Sequence, residues 1–392
     1  MDFPTIIVGG GISGITAAVE LAEAGQAVVL VEKEHYLGGN VSRFNNYFPK
    51  FCPPSCGLEI NYRRIRSNPR VTVYTGAQVT KVCGKKGDFS VEIILAPRLI
   101  NNRCTSCGKC AEVCPEGAVY IPWGITFPMK YSIDPDRCQR ETCGKCEEVC
   151  EFDAIQLGAA AGEIRLQASN VIMATGWSLY DAHRLDGYRY GEDPDIVTNL
   201  EFEEMLAACT MENKKLTRPS DGKTPSRVAF VQCAGSRDLN HLPYCSAVCC
   251  PASVKHALTL AELYPGTRSE IFYIDMRLSG RNEKLLQRAG AMEEITFTRG
   301  KVGKIHPGQG GPVLEVEDIH AGTKRRDGFD LVVLAMGLVP NRVKGKMALN
   351  QAGFYLGDQE PGIAVAGSCK RPMDVSSSVK DATAASLKCM QP

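Results

Sequence analysis

Eight cysteines crowd the stretch from Cys104 to Cys150 in two runs. Cys104, Cys107, Cys110 and Cys114 stand at C-x2-C-x2-C-x3-C with Pro115 behind them; Cys138, Cys143, Cys146 and Cys150 stand at C-x4-C-x2-C-x3-C. A short segment that must gather so many thiols has few folds open to it. The first spacing is one by which bacterial proteins hold a [4Fe–4S] cluster, and the second is the same with two residues added at its first gap. Tandem runs exchange their last thiolate. Cys104, Cys107, Cys110 and Cys150 are therefore assigned to one cluster, and Cys138, Cys143, Cys146 and Cys114 to the other. Zinc favours separated C-x2-C pairs over packed triplets, and a disulfide framework would have to reproduce both spacings. The segment is expected to move electrons one at a time.

A length of 392 residues suggests two or three domains. Lys and Arg number 45 against 44 Asp and Glu, so no global field favours nucleic acid or an acidic membrane. No basic-then-apolar leader is expected, since a strand begins by Thr5. Runs such as Val332 to Met336 are too short to span a bilayer. With 18 cysteines, cluster spacings and no leader, a reducing cytoplasm is expected. Any service to a membrane would pass through a partner, on its inner face.

Thr5–Val8 reads as a buried strand, Gly9-Gly10-Gly11-Ile12-Ser13-Gly14 as a turn, and Ile15 to Ala24 as a helix ending at Gly25. A second strand, Ala27 to Val31, runs into Glu32 and Lys33. This is G-x-G-x-x-G in its strand–turn–helix setting. Gly9 permits the turn, Gly11 the approach of a pyrophosphate, and Gly14 the packing of helix on strand. The pyrophosphate would sit at the helix N-terminus, with Glu32 at the ribose. FAD is expected, because three further segments look like those of flavoproteins with two dinucleotide domains. They are Leu37-Gly38-Gly39, the strand and crossover Ile172-Met173-Ala174-Thr175-Gly176, and Gly362-Ile363-Ala364-Val365-Ala366-Gly367. An Asp usually follows the last; here it is Ser368. Asp374 to Leu387 reads as a helix with Asp and Ser caps, and Ser377 in its first turn is expected at the flavin. A capped surface helix is the other reading.

Such flavoproteins carry a second glycine fingerprint for NAD(P)H. Its strand is expected at Arg227–Val231, but Gln232-Cys233-Ala234-Gly235-Ser236-Arg237 follows, with one glycine and no phosphate cradle. Direct use of NAD(P)H is not expected. Cys233, Cys245, Cys249 and Cys250, at C-x11-C-x3-C-C, are candidates for a third [4Fe–4S] cluster, with a redox disulfide or inert thiols as alternatives. A helix is expected over Ala252 to Leu263. Its Lys255 and His256 would lie near cluster and flavin, where a cation raises the flavin potential; a solvated lysine is the alternative. Cys52 and Cys56, in Cys52-Pro53-Pro54-Ser55-Cys56, could form a redox disulfide, assist a cluster, or be spectators. Cys83, Cys209, Cys369 and Cys389 have no partner spacing.

Taken together, the FAD fingerprint, the Gln232–Arg237 block, the Tyr244–Cys250 block with Lys255 beyond, and the Gly362–Ser386 tail resemble the heterodisulfide reductase A-subunit family over nearly the whole chain. Longer members of that family add N- and C-terminal cluster modules, which this chain is expected to lack. The compact form and the loop Phe48–Gly57 look most like the family's branch in quinone-interacting membrane-bound oxidoreductases of sulfate reducers. That resemblance implies an α/β fold: a thioredoxin/glutathione reductase-like flavoprotein with two dinucleotide domains and an inserted ferredoxin module with two [4Fe–4S] clusters. The implied layout is FAD domain at 1–100, 159–205 and 336–392, ferredoxin insert at 101–158, and a degenerate NAD(P)-type domain at 206–335. Implied partners are a second flavin/iron–sulfur subunit, a haem-bearing membrane subunit and adenylylsulfate reductase. FAD would be a branch point where electron pairs divide or combine, with no general base needed. The alternatives are a family member with other soluble partners, a stand-alone flavoenzyme coupled to ferredoxin, and an electron-wiring protein whose flavin never turns over.

Overall fold

In a computed structural model, residues 3–391 are described apart from 123, 346 and 358. Two parallel sheets organise them. The first has strand order Ile363–Val365, Asn170–Met173, Thr5–Val8, Val28–Glu32, Val71–Thr75, all parallel. Thr5–Val8 and Asn170–Met173 are buried at every residue, as strands covered on both faces must be. One face packs helices Ile12–Glu23, Ser55–Ser67 and Val375–Met390 around Ile7, Leu30 and Ile172. The other buries Ile6, Val31 and Met173 against Val79, Val91 and Ile93 of an antiparallel sheet made of Ala77–Lys85, Asp88–Leu95 and Gly162–Ala168.

The second sheet orders Ile196–Thr198, Leu331–Met336, Arg227–Ala234, Arg268–Tyr273 and Ile295–His306 in parallel, then adds Val313–Asp318 and Thr323–Gly328 antiparallel. Ile196–Thr198 pairs with Val332 to Leu334, and helix Asn199–Glu212 follows it, held by a capping box of Thr198 and Glu201. This pairing draws into the second sheet residues that the sequence layout put before its 206 boundary. One other expectation shifts as well. The helix expected from Ala252 spans Cys249–Leu263, so both adjacent cysteines lie in its first turn. In the polar stretch 213–226, Leu216 is buried in the second core. The antiparallel pair Trp177–Leu179 and Leu338–Pro340 links the sheets.

Both cysteine runs sit between strands Asp88–Leu95 and Gly162–Ala168, in a small unit closed by an Ile100–Ile155 bridge. Its core is Leu99, Val119, Ile133, Ile155 and Leu157 packed on the thiols of Cys110 and Cys146.

Candidate flavin cavity and thiolate sites

A cavity of about 710 Å³ opens at the ends of the first sheet's strands and reaches the second sheet. That size is normal for a bound cofactor. The glycine turn shapes its floor. Gly9 has φ +112°, and a Cβ there would fall 2.3 Å from the Ala174 carbonyl oxygen. A Cβ on Gly14 would fall 1.7 Å from the Gly9 oxygen, so strand and helix touch there. A Cβ on Gly11 would meet nothing nearer than Gly39 Cα at 3.9 Å, which leaves that side open for a phosphate at the N-terminus of Ile12–Glu23. Glu32 lines the cavity and is 6% exposed. Burial pushes its carboxyl up, opposed by the N–H groups of Glu34 and Gly10, which donate to it at 2.8 and 2.5 Å. These features fit a dinucleotide.

Of the residues expected around FAD, Gly9, Gly11, Ile12, Ser13, Glu32, Lys33, Gly39, Ala174, Thr175, Gly176 and Ser368 line this cavity, as does Lys255. Gly14, Gly38 and Gly367 do not line it. Gly14 and Gly367 are close-approach positions: a Cβ on Gly367 would strike the Ser13 hydroxyl oxygen at 2.1 Å. Ser377 does not line it either; its N–H donates to the Asp374 cap at 2.7 Å, and Ser378 faces the cavity instead.

Sequence reading placed Lys255 and His256 near the flavin but missed the acid, Glu203, that joins them in a buried triad on the cavity wall. Lys255 is 2% exposed; its ammonium donates to the Asn46 carbonyl at 2.7 Å and contacts the Glu203 carboxylate. His256 Nε2 lies 2.7 Å from the same carboxylate. Burial pushes Lys255 well below its ordinary value, and burial with the neighbouring Lys255 does the same to His256. Glu203 gave no sequence signal, because its partners lie 52 and 53 residues away.

The ferredoxin-like unit has two smaller cavities. Cys104, Cys107, Cys110 and Cys150 surround one; Cys114, Cys138, Cys143 and Cys146 surround the other. Each set mixes the two runs. Backbone N–H groups point at the sulfurs: Ser106 to Cys104 at 3.4 Å, Arg140 to Cys138 at 3.2 Å, Ala118 to Cys114 at 3.2 Å and Ala154 to Cys150 at 3.3 Å. Ser106 and Arg140 reach this geometry with φ +60° and +50°.

A third cavity is surrounded by Cys233, Cys245, Cys249 and Cys250. Its local geometry repeats the first two. Two residues after Cys245, Ala247 has φ +60° and donates its N–H to the Cys245 sulfur at 3.4 Å. Cys233 itself has φ +58°, at a bulge where the strand's register shifts between Val231 and Ala234. Backbone outliers of this kind in non-glycine residues cluster at ligand clamps and active sites. Burial pushes the Cys250 thiol up to about 11 and that of Cys249 well up too. Metal ligation would be needed to keep them as thiolates at neutral pH. Cys52 and Cys56 lie elsewhere: burial first, then these two thiols, raise Tyr47, whose residue lines the flavin cavity.

Residues 5–49 match the FAD dependent oxidoreductase family, and residues 103–154 match the 4Fe-4S dicluster domain. The thioredoxin reductases of T. acidophilum and Lactococcus lactis share the fold at a TM-score of 0.55 and 15% identity, over 99% of this chain and 97% and 98% of theirs. Fold and site thus define an FAD flavoprotein with two dinucleotide-type domains and an inserted dicluster iron–sulfur unit. The A-subunit of the ferredoxin:CoB-CoM heterodisulfide reductase of Methanosarcina mazei is 34% identical over 98% of this chain and 52% of its own length. An iron–sulfur A-subunit of the CoB–CoM heterodisulfide reductase of Methanopyrus kandleri is 35% identical over 98% of this chain and 63% of its own. The chain belongs to the heterodisulfide reductase A-subunit family, and it spans between half and two thirds of the length of these relatives.

Proposed function

We propose that this chain is the FAD- and iron–sulfur-bearing electron-transfer component of a multi-subunit oxidoreductase of the heterodisulfide reductase type. FAD would be the point where electron pairs divide or combine. FAD exchanges electrons singly or in pairs and a [4Fe–4S] cluster one at a time. The supporting observation is one helix serving two sites. The first turn of Cys249–Leu263 lines the four-thiol cavity with Cys249 and Cys250, while Ala252, Lys255 and His256 of the next turns line the flavin cavity. Lys255 is the fifth residue after Cys250 along the helix, about 7.5 Å of rise.

In this reading the chain's own groups do the following. Gly9, Gly11 and the N-terminus of Ile12–Glu23 bind the pyrophosphate, and Glu32 the ribose. Lys255, held by Glu203 and Asn46, presents its amino group to the flavin. Cys104, Cys107, Cys110 and Cys150 hold one cluster; Cys114, Cys138, Cys143 and Cys146 the second; Cys233, Cys245, Cys249 and Cys250 a third. The likeness of the Cys245–Ala247 turn to those at Cys104 and Cys138 supports the third.

The finer reading places the complex at the cytoplasmic face of a membrane, between a quinone module with a haem subunit and adenylylsulfate reductase. It rests on the loop Phe48–Gly57. Among the described residues no helix is long and apolar enough to cross a membrane. Iron and flavin analysis of the purified chain tests the core proposal: FAD with about twelve irons is expected, four per cluster, and zinc in place of iron would overturn it. Co-purifying subunits test the finer one: soluble partners alone would overturn the quinone reading.

A further inference from the structure

At the third thiol cavity cationic side chains reach the sulfurs themselves. Its rim carries Arg237, Arg277 and Asp275. The Arg237 side chain reaches the Cys233 thiol, and the Arg277 side chain reaches Cys245. The backbone N–H of Arg277 points at the Cys250 thiol. One carboxylate positions both guanidinium groups: Asp275 accepts from Arg277 Nε at 2.8 Å and pairs with Arg237 on its other oxygen. Two fixed positive groups against one negative leave the thiols in a net cationic setting.

The ferredoxin-like insert has the opposite field. Residues 101–158 hold six Lys and Arg against nine Asp and Glu, a net of −3. Around its first cavity the cations are paired with acids, Arg103 with Asp153 at 2.6 Å and Lys109 with Glu151; the second has Arg140 and Lys145 with Glu116 on its rim. Its sulfurs receive backbone N–H groups.

Adding an electron to a cluster adds negative charge, so a cationic rim raises the reduction potential and an anionic field lowers it. We propose that the four-thiol site is the high-potential arm of this protein, set by Arg237 and Arg277 on their Asp275 tether, and that the insert's clusters form the low-potential arm. This rests on the reading of the four thiols as a cluster site. Burial of Cys249 and Cys250 disfavours added charge, and the two guanidinium groups offset it from the Cys233 and Cys245 side of the site. Electrons leaving the flavin would then meet a downhill path through Cys249–Leu263 and an uphill one through the insert.

The experiment is a potentiometric titration of the full chain, each cluster followed by its paramagnetic signal, with iron counted per chain. The four-thiol signal is expected at a more positive midpoint than both insert signals. Arg237→Gln and Arg277→Gln should keep all iron and shift that midpoint negative by a tenfold change in equilibrium, about 59 mV for one electron. Arg237→Lys should shift it less. Asp275→Asn should shift it positive, a sign that general loosening of the site would not produce. About eight irons in the unaltered chain would overturn the underlying cluster reading. A full iron count with an unmoved midpoint in the Gln variants would overturn only the charge argument. So would loss of the cluster in the Lys and Gln variants alike, since the arginines would then be structural.

Discussion

Two strand–turn–helix units run on the same plan and part company at the turn. In the first, Thr5–Val8 passes to Ile12–Glu23 through a tight glycine turn. In the second, Arg227–Ala234 reaches Cys249–Leu263 only after the long excursion 235–248. Both end with an exposed set of N–H groups and the positive end of a helix dipole. The first offers that end to phosphate by removing side chains. The second fills it with Cys249 and Cys250, and the excursion returns Arg237 and Cys245 to the same place, where Arg277 joins them from beyond strand Arg268–Tyr273. A helix N-terminus favours thiolate for the same reason that it favours phosphate. One scaffold position can therefore change from holding a nicotinamide dinucleotide to holding sulfur ligands while its strands and helix stay put.

Glycine substitutions should break the first turn most severely. Gly14→Ala meets the Gly9 carbonyl and should cost roughly 3 kcal/mol through overpacking, with FAD lost as well. Gly11→Val has room in the protein and should keep the fold but exclude FAD, with affinity down at least about 100-fold, or 2.7 kcal/mol. Thermal melting with flavin content separates the two. In the second turn, Cys250→Ser should remove one cluster, about four irons, and leave FAD and both insert clusters; paramagnetic resonance reads this directly, and an unchanged spectrum would make the four thiols inert.

The helix shared by the two sites gives the next effect. Glu203→Gln removes the carboxylate that the buried Lys255 and His256 share and should destabilise the fold by about 3–5 kcal/mol, measured by denaturant unfolding. Lys255→Met with Glu203→Gln should recover part of this loss.

A smaller effect lies at the start of the second unit's strand. Asp330 binds the N–H groups of Ser226 and Arg227 and the Ser226 hydroxyl at 2.7, 2.9 and 2.6 Å. Burial pushes its carboxyl up, but these bonds and Arg218 outweigh it and hold it below its ordinary value. A depressed folded value gives stability that is present above the unfolded value and fades as pH falls through the folded one. Asp330→Asn should therefore lower Tm at neutral pH, and the gap should close below about pH 4. The smallest effect is none at all: NADH and NADPH, mixed with this chain alone, should leave the flavin absorbance unchanged. Rapid bleaching would mean that the second turn still binds a dinucleotide.

Sequence revealed the parts whose chemistry is local. A glycine turn needs neighbours a few residues apart, and so does a cysteine run, so spacing alone identified them. The tail segment Gly362–Gly367 was equally plain, since it contains the strand Ile363–Val365 of the first sheet. What stayed hidden depends on contacts across the fold. Glu203 meets Lys255 because Asn199–Glu212 and Cys249–Leu263 pack together near the flavin cavity. Asp275 meets Arg237 because adjacent strands of the second sheet end side by side. Ser378 lines the cavity in place of Ser377, because one residue turns a helix by about 100°, a phase that the sequence does not register. The joining of Ile196–Thr198 to the second sheet was hidden too, because a three-residue apolar strand carries almost no periodicity.

The iron–sulfur unit leaves the neighbouring sheet intact. Leu95 and Gly162, the residues on either side of it, are direct antiparallel partners, and the pairing runs on to Phe89 and Ala168. Such partners lie about 5 Å apart, the gap that an ordinary hairpin bridges. To the flavoprotein, the whole unit is an overgrown turn. It is a cartridge: its exchange for another with ends as close together would alter where electrons enter or leave without redrawing the cavity that holds the flavin. A lineage can thus rewire itself at one splice point, and an engineer can do the same.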